Sequence, residues 1–222
     1  MTVRHTVHAT VLAASLALGC AALPAAASAA PATPSVASPS VVVAGADGLA
    51  GYANNALAQW ARYAQAGNSD AFTQFASIRD GVAAEAANRL GLDVARMQLA
   101  WRNADAPHQV ALMAAFAELG TPYRRNTSSP GVGFDCSGLT TYAWGQAGVK
   151  LFRQSRTQIN NAKAVTRQTA QAGDLVYYPG HVMMYLGIDN AIIHAPFTGR
   201  NVEVDFISKS RVNSVRFGNP MG

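Results

Sequence analysis

Chemistry in this chain gathers around Cys136, which sits in the run Gly133-Phe134-Asp135-Cys136-Ser137-Gly138-Leu139-Thr140. The run is polar and turn-forming up to the cysteine. Beyond it Leu139, Tyr142, Ala143 and Gln146 recur at helical spacing until Gly148. The cysteine is therefore expected in the first turn of a helix. There the unpaired N–H groups and the positive helix end favour thiolate over thiol, which would bring its pKa down from about 8.5 towards roughly 3.5–7.5. The same N–H groups could stabilise an oxyanion. Such flanks argue against an inert, buried cysteine, so Cys136 is read as a nucleophile.

A thiol nucleophile needs a base that takes its proton and passes it to the leaving amine, and a third group that orients the base. His181 and His194 both fall on expected strands downstream, whereas His108 lies near the start of an expected helix and reads as exposed. On the strand from His181, alternation puts His181, Met183 and Tyr185 on one face and Val182, Met184 and Leu186 on the other. His194 shares its face with Ile192. If the two strands are neighbours, both imidazoles lie side by side on the face that meets the Cys136 helix. A zinc site is the competing use of Cys, His and His. The chain offers no close ligand pair of the C-x-x-C kind, and a helix start favours thiolate without a metal.

The elements that must position these residues follow from patterning. Tyr52, Ala56, Trp60 and Tyr63 form one helical face, closed by Gly67-Asn68. Ser69 or Asp70 can cap a second helix carrying Phe72, Phe75, Ile78, Val82 and Ala86, ended by Gly91. A third helix carries Val94, Met97 and Trp101, and Pro107 opens a fourth with Val110, Met113, Phe116 and Leu119. From Thr121 the texture turns to strands: Leu175–Tyr178, His181–Leu186, Ala191–Ala195, Asn201–Phe206 and Val212–Phe217. Helices followed by closely spaced strands predict an α+β fold with an antiparallel sheet packed on the nucleophile helix. Residues 48–112 read as a helical subdomain, and residues 113–222 as the domain that carries the chemistry.

The first residues read differently. Arg4, His5 and His8 precede the apolar run Val11 to Leu18, and Ala27-Ser28-Ala29 offers a small-x-small cleavage site. Residues 1–29 are thus expected to be a secretory signal peptide, with cleavage near Ala29 preferred over lipidation at Cys20. Residues 30–47, rich in Ala, Pro, Ser and Val, read as a flexible linker. Removing the leader leaves Cys136 unpaired, which in a secreted chain points to a reactive thiol or an intermolecular bridge. The formal net charge of +5 is modest and suits an anionic envelope. With no basic run interleaved with aromatics, nucleic acid is not expected as a partner. No later stretch is long enough to span a bilayer.

Taken together, the motifs resemble the NlpC-type cysteine peptidases of bacterial cell walls. The resemblance runs from about Ala114 to near the C-terminus. It rests on Leu119-Gly120-Thr121-Pro122-Tyr123, Phe134-Asp135-Cys136-Ser137-Gly138-Leu139 and Leu151-Phe152-Arg153-Gln154-Ser155-Arg156-Thr157-Gln158, in that order. Gly173-Asp174-Leu175-Val176, His181-Val182 with Tyr185-Leu186-Gly187, and Ile193-His194-Ala195-Pro196 complete it. It implies a permuted papain-like fold and a secreted enzyme of the bacterial cell wall or periplasm. Peptide bonds in peptidoglycan stems would be cut, commonly between γ-D-glutamate and the following diamino acid. Cys136 would be the nucleophile, His181 the base and acid, and His194 the orienting residue. No metal or organic cofactor is implied.

By the same resemblance Tyr123 would sit beside the nucleophile and help position substrate or oxyanion. Asp135 and Ser137 would contact the amino end of the substrate peptide; capping of the helix is the other reading of both. Arg153, Ser155 and Gln158 read as structural, and Asp174 as a turn former. Arg124-Arg125-Asn126 and Phe152 depart from the family pattern, and the arginine pair would add positive charge to the cleft. An amidase or acyltransferase acting on another envelope substrate through the same triad remains open, as does a non-catalytic wall-binding module. The helical subdomain stands open between a packed scaffold, a pro-segment over the cleft and an adaptor for another wall protein.

Overall fold

Small side chains decide how the first helices pack. In the computed structural model, which describes residues 47–222, α1 (Gly48–Ala66) and α2 (Ser69–Leu90) lie against each other. Ala50, Ala53 and Ala56 of α1 and Ala83, Ala86 and Ala87 of α2 are completely buried in one core. Side chains this small cost no rotamer entropy and let two backbones approach closely. The expected signal peptide, Cys20 and the expected linker as far as residue 46 lie outside the described residues. Asp47, expected as the last linker residue, instead caps α1, accepting a hydrogen bond from the Leu49 N–H at 2.9 Å.

The aromatic face expected on α1 is not the one buried. Tyr52 is 65 % exposed and Phe72 of α2 is also exposed. Near the α1–α2 turn, Trp60 stacks on Phe75 at 5.2 Å and Tyr63 on Phe72 at 5.0 Å. These rings tie the ends of the helices together rather than fill the space between them. Asn68, not Ser69 or Asp70, caps α2 by accepting from the Ala71 N–H. Gly67 and Gly91 end the two helices in the left-handed conformation that favours glycine.

Helix α3 (Val94–Asn103) follows, with Met97 and Trp101 buried, and then α4 (Ala106–Phe116). Every residue of α4 from His108 to Phe116 is buried, as befits a helix surrounded by protein. It packs between α1 and α5 (Cys136–Gln146). The boundary expected between residues 112 and 113 therefore falls inside a buried helix. Trp101 adds a tether, donating its indole N–H to the Leu186 carbonyl at 3.0 Å.

His108 is not exposed as its sequence position suggested. It is fully buried, its Nε2 lies 3.0 Å from Asp174 Oδ1, and its ring meets Trp144 edge-on at 4.8 Å. Asp174, read as a turn former, is fully buried too and also accepts from the Gln171 N–H. The contact pairs His108 Nε2 with a carboxylate, while His108 Nδ1 and Trp144 Nε1 are buried with no hydrogen-bond partner among the described residues. Gly173 makes the approach feasible: with φ +101° it presses on the His108 backbone, where any Cβ would meet atoms at 3.0–3.2 Å.

The remaining elements are β1 (Ser128–Ser129), β2 (Gly133–Phe134), α6 (Ser155–Asn161), β3 (Lys163–Val165), β4 (Leu175–Tyr178), β5 (His181–Tyr185), β6 (Ala191–His194), β7 (Glu203–Phe206) and β8 (Arg216–Asn219). β1 and β2 form a small hairpin. The other strands form one antiparallel sheet of order β3-β8-β4-β5-β6-β7. The fold is thus α+β, with an all-helical region ahead of the sheet, as expected. Val182, Met184 and Leu186 join Leu139, Ala143 and Trp144 in the main core, while Met183, Tyr185 and Ile192 form a second cluster. Burying such side chains contributes about 1.5–3 kcal/mol each.

Candidate active site

Asp135 sets the start of α5. Its backbone is extended and its carboxylate accepts from the Gly138 N–H at 2.7 Å, fixing the first turn with Cys136 at its first position. Gly138 is required by contact: a Cβ there would lie 2.1 Å from the Thr127 carbonyl oxygen. Arg153 grips the same carboxylate with both guanidinium arms, Nη1 to Oδ1 at 2.9 Å and Nη2 to Oδ2 at 2.6 Å. It also donates to Ser137 Oγ at 2.9 Å. Arg153, read from sequence as structural, reaches from the surface to hold the buried Asp135 and Ser137 beside the thiol. The capping reading of Asp135 describes its hydrogen bonds directly.

The expectation of a preformed thiolate needs correction. Cys136 is half-buried. Burial pushes its thiol up and the Asp135 charge adds to that, against the N–H groups of Val182 and Ser137 and the Ser137 hydroxyl, which pull it down. Burial outweighs the helix start, and the charge of the capping Asp135 adds to it. The resting group is the neutral thiol.

His181 opens β5 and is 7 % exposed. Its Nε2 lies 2.9 Å from His194 Nδ1, with the rings edge-on at 5.1 Å. Burial drives the His181 pKa down to about 4. His194 falls to about 3, through burial first and then the charges of His181 and Arg200. Both imidazoles are neutral at neutral pH.

The two imidazoles do meet, but not on the expected face. Val182 and Met184 are the β5 side chains in the core that holds the α5 residues, so His181 and His194 fall by alternation on the other side of the sheet. The link to the nucleophile is the Val182 N–H, next in the chain to His181, which acts on the Cys136 thiol and pulls its pKa down.

Cys136 opens onto a cleft of about 760 Å³ that is also lined by Tyr123, Asp135, Ser137, Arg125 and Arg156. Tyr123 is half-buried, and its phenol is pushed up by burial first, with the nearby Asp135 charge adding to that. It is therefore protonated and able to donate. Of the expected arginine pair only Arg125 lines the cleft. Arg124 packs instead over Gly133, where a Cβ would come within 2.5 Å of its side chain. Arg153 is paired with Asp135, whereas no carboxylate among the described residues is within ion-pair distance of Arg125 or Arg156.

His194, Glu203 and Asp205 offer ligand atoms within 4.8 Å of one another, the one such group among the described residues. The Arg200 guanidinium already sits 2.5 Å from Glu203, so a cation there would meet a positive charge in place. Neither His181 nor His194 lines the cleft itself, but Gly180, next to His181, does; a cleft-lining thiol with donors and a neutral imidazole pair beside the lining is suited to acyl transfer.

Comparison with known proteins agrees. Residues 120–218 match the sequence model of the NlpC/P60 family. Dipeptidyl-peptidase 6 of Lysinibacillus sphaericus is 37% identical over 99 residues, covering 44% of this chain and 36% of the relative. Peptidoglycan endopeptidase RipA of Mycolicibacterium smegmatis is 30% identical over 118 residues, covering 46% and 24%. The gamma-D-glutamyl-L-lysine dipeptidyl-peptidase of Bacillus cereus is 38% identical over 94 residues, covering 39% and 28%. The matched stretch thus spans well under half the length of these relatives. Among the described residues no helix is long and apolar enough to cross a membrane. Residues 120–218 of this chain form an NlpC/P60 domain.

Proposed function

We propose that the chain is a cysteine peptidase that hydrolyses peptide bonds in peptidoglycan stems, with Cys136, His181 and His194 as its triad. The observation that supports this reading is a cleft-lining thiol at a helix start, influenced by the Val182 N–H that follows His181 in the chain, with His181 and His194 hydrogen-bonded to each other.

Because thiol and imidazole rest neutral, ionisation accompanies attack. His181 takes the Cys136 proton on the ring nitrogen not engaged with His194 as sulfur bonds to the carbonyl carbon. The oxyanion so formed is met by N–H groups at the start of α5, a donor of this kind being worth roughly 3 kcal/mol. The C–N bond then breaks, with the His181 proton going to the leaving amine. Water, deprotonated by His181, releases the acyl group and restores the thiol. His194 keeps the base in place throughout.

The favoured bond joins γ-D-glutamate to the diamino acid after it. Arg125 and Arg156 supply positive charge suited to stem carboxylates, and the named activity of the Bacillus cereus relative is directed at a γ-D-glutamyl-L-lysine bond. Tyr123, Asp135 and Ser137 would contact the peptide. A leader over residues 1–29 would deliver the chain to the cell envelope, with the helical layer as a scaffold around α4. Incubating the purified protein with muropeptides of defined stem length and analysing the products by mass decides the bond. Release of a fragment beginning at the diamino acid is expected. Intact muropeptides, or loss only of an acyl or amide group, would replace this reading with the non-catalytic or the amidase and acyltransferase alternative.

A further inference from the structure

His194 Nε2 is buried and has no hydrogen-bond partner among the described residues. The nearest carboxylate is that of Glu203, its cross-strand partner on β7, with Oε1 at 3.6 Å. Arg200 holds that carboxylate by both oxygens, Nη2 to Oε1 at 2.5 Å and Nε to Oε2 at 3.2 Å. Nothing in the sequence marks Glu203, because the β6–β7 register that sets it opposite His194 is a tertiary fact.

We propose that Glu203, steered by Arg200, is a positioning residue that fixes the tautomer of His194. The inference rests on the reading of His181 as the base. For His181 to accept the thiol proton on Nδ1, its own hydrogen must be on Nε2. That N–H must be donated to His194 Nδ1, the atom 2.9 Å away. His194 then carries its hydrogen on Nε2, the atom that points to Glu203. The opposite arrangement, with His194 donating from Nδ1, leaves His181 protonated on Nδ1 and unable to take a proton from Cys136. A carboxylate accepts hydrogen bonds and donates none when ionised, so Glu203 favours only the productive arrangement. Arg200 limits how strongly that carboxylate charges the imidazoles and keeps it oriented. The groups facing this pair are His181 on β5, Tyr178 on β4, Glu203 and Asp205 on β7, and Arg200 just before β7.

The test uses the full chain with nitrogen-15-labelled histidine, read by NMR at neutral pH. His194 is expected to be protonated on Nε2 in wild type and to lose that preference in Glu203→Ala. Glu203→Gln, which keeps an acceptor oxygen, recovers part of it. Protonation of wild-type His194 on Nδ1, or an unchanged tautomer in Glu203→Ala, would overturn the proposal. Hydrolysis adds a second readout. Glu203→Ala should lower kcat roughly ten- to a hundredfold with KM little changed, the usual scale for losing a group that orients a functional histidine.

The acid limb of kcat/KM moves to lower pH in Glu203→Ala, because Arg200 is left uncompensated, and to higher pH in Arg200→Gln. Mere loosening of the strand would hydrate the imidazoles and raise the limb towards about 6.5 in both variants, and that result would count against the proposal. The NMR arm needs no turnover, so a failure of the peptidase reading leaves it intact and distinguishable.

Discussion

Two regions of this molecule bury imidazoles, and they keep them in opposite ways. At the seam between α4 and the loop before β4, His108 is fully enclosed against a carboxylate, Asp174, and lies edge-on to Trp144. At the end of β5, His181 is nearly as deep, yet its hydrogen-bond partner is another imidazole and its neighbours open onto a cleft. Burial alone therefore does not separate a structural histidine from a working one. Place does: Gly180, next to His181, lines the cleft that Cys136 also lines, whereas His108 is sealed between Asp174 and Trp144.

The widest gap between the two regions should appear on substitution. His181→Ala is expected to lower muropeptide hydrolysis by about a thousandfold or more, the scale seen when a triad base is removed, with little change in melting temperature. His108→Ala should do the reverse. It strands Asp174 without its partner and should cost about 3–5 kcal/mol, read as a lower denaturation midpoint with turnover per folded molecule retained. If His108→Ala lost turnover while keeping its stability, the comparison would fail.

Acid sharpens the same contrast. His181 and His194 titrate in the folded protein at about 4 and about 3, below the ordinary 6.5 of an exposed imidazole. The unfolded chain then binds more protons than the folded one between these values. Stability should fall as pH drops from about 6.5 towards 4 and be fully present above that window. In His181→Asn or His194→Asn the decline in melting temperature over this range should be shallower. An unchanged slope would show that the imidazoles are not held neutral.

The smallest effect concerns the mouth of the cleft. Arg125→Gln and Arg156→Gln should each raise KM a few-fold for stems with free carboxylates and leave kcat near wild type, as expected for exposed charges in water. Equal KM changes with amidated stems would argue that these arginines do not read carboxylates.

Much of this was legible from local sequence, and the exceptions are instructive. The Cys136 helix was readable because its punctuation is local: Asp135 caps it, and the apolar spacing runs to Gly148. Helix α6 was not, being seven residues of which only Ile159 is apolar, with a preceding Gln154 that makes no side-chain cap. The expected strand Val212–Phe217 lies later, at Arg216–Asn219. Its Gly218 fits beneath Ala162 and Ile159, where a Cβ would come within 2.9 Å of either, and no pattern in a single strand reveals that neighbour. The burial of His108 depends on Asp174, 66 residues away. The neutral thiol depends on weighing desolvation against a helix end, a balance fixed by packing rather than by the residues alone.

The central claim is that Cys136 is the atom that attacks. The direct measurement is hydrolysis of a defined γ-D-glutamyl-diamino acid muropeptide by wild type and by Cys136→Ala, with folding of both verified by melting temperature. Cleavage by the wild type and none by the equally folded variant is the predicted result. Cleavage by Cys136→Ala at the wild-type rate would contradict it.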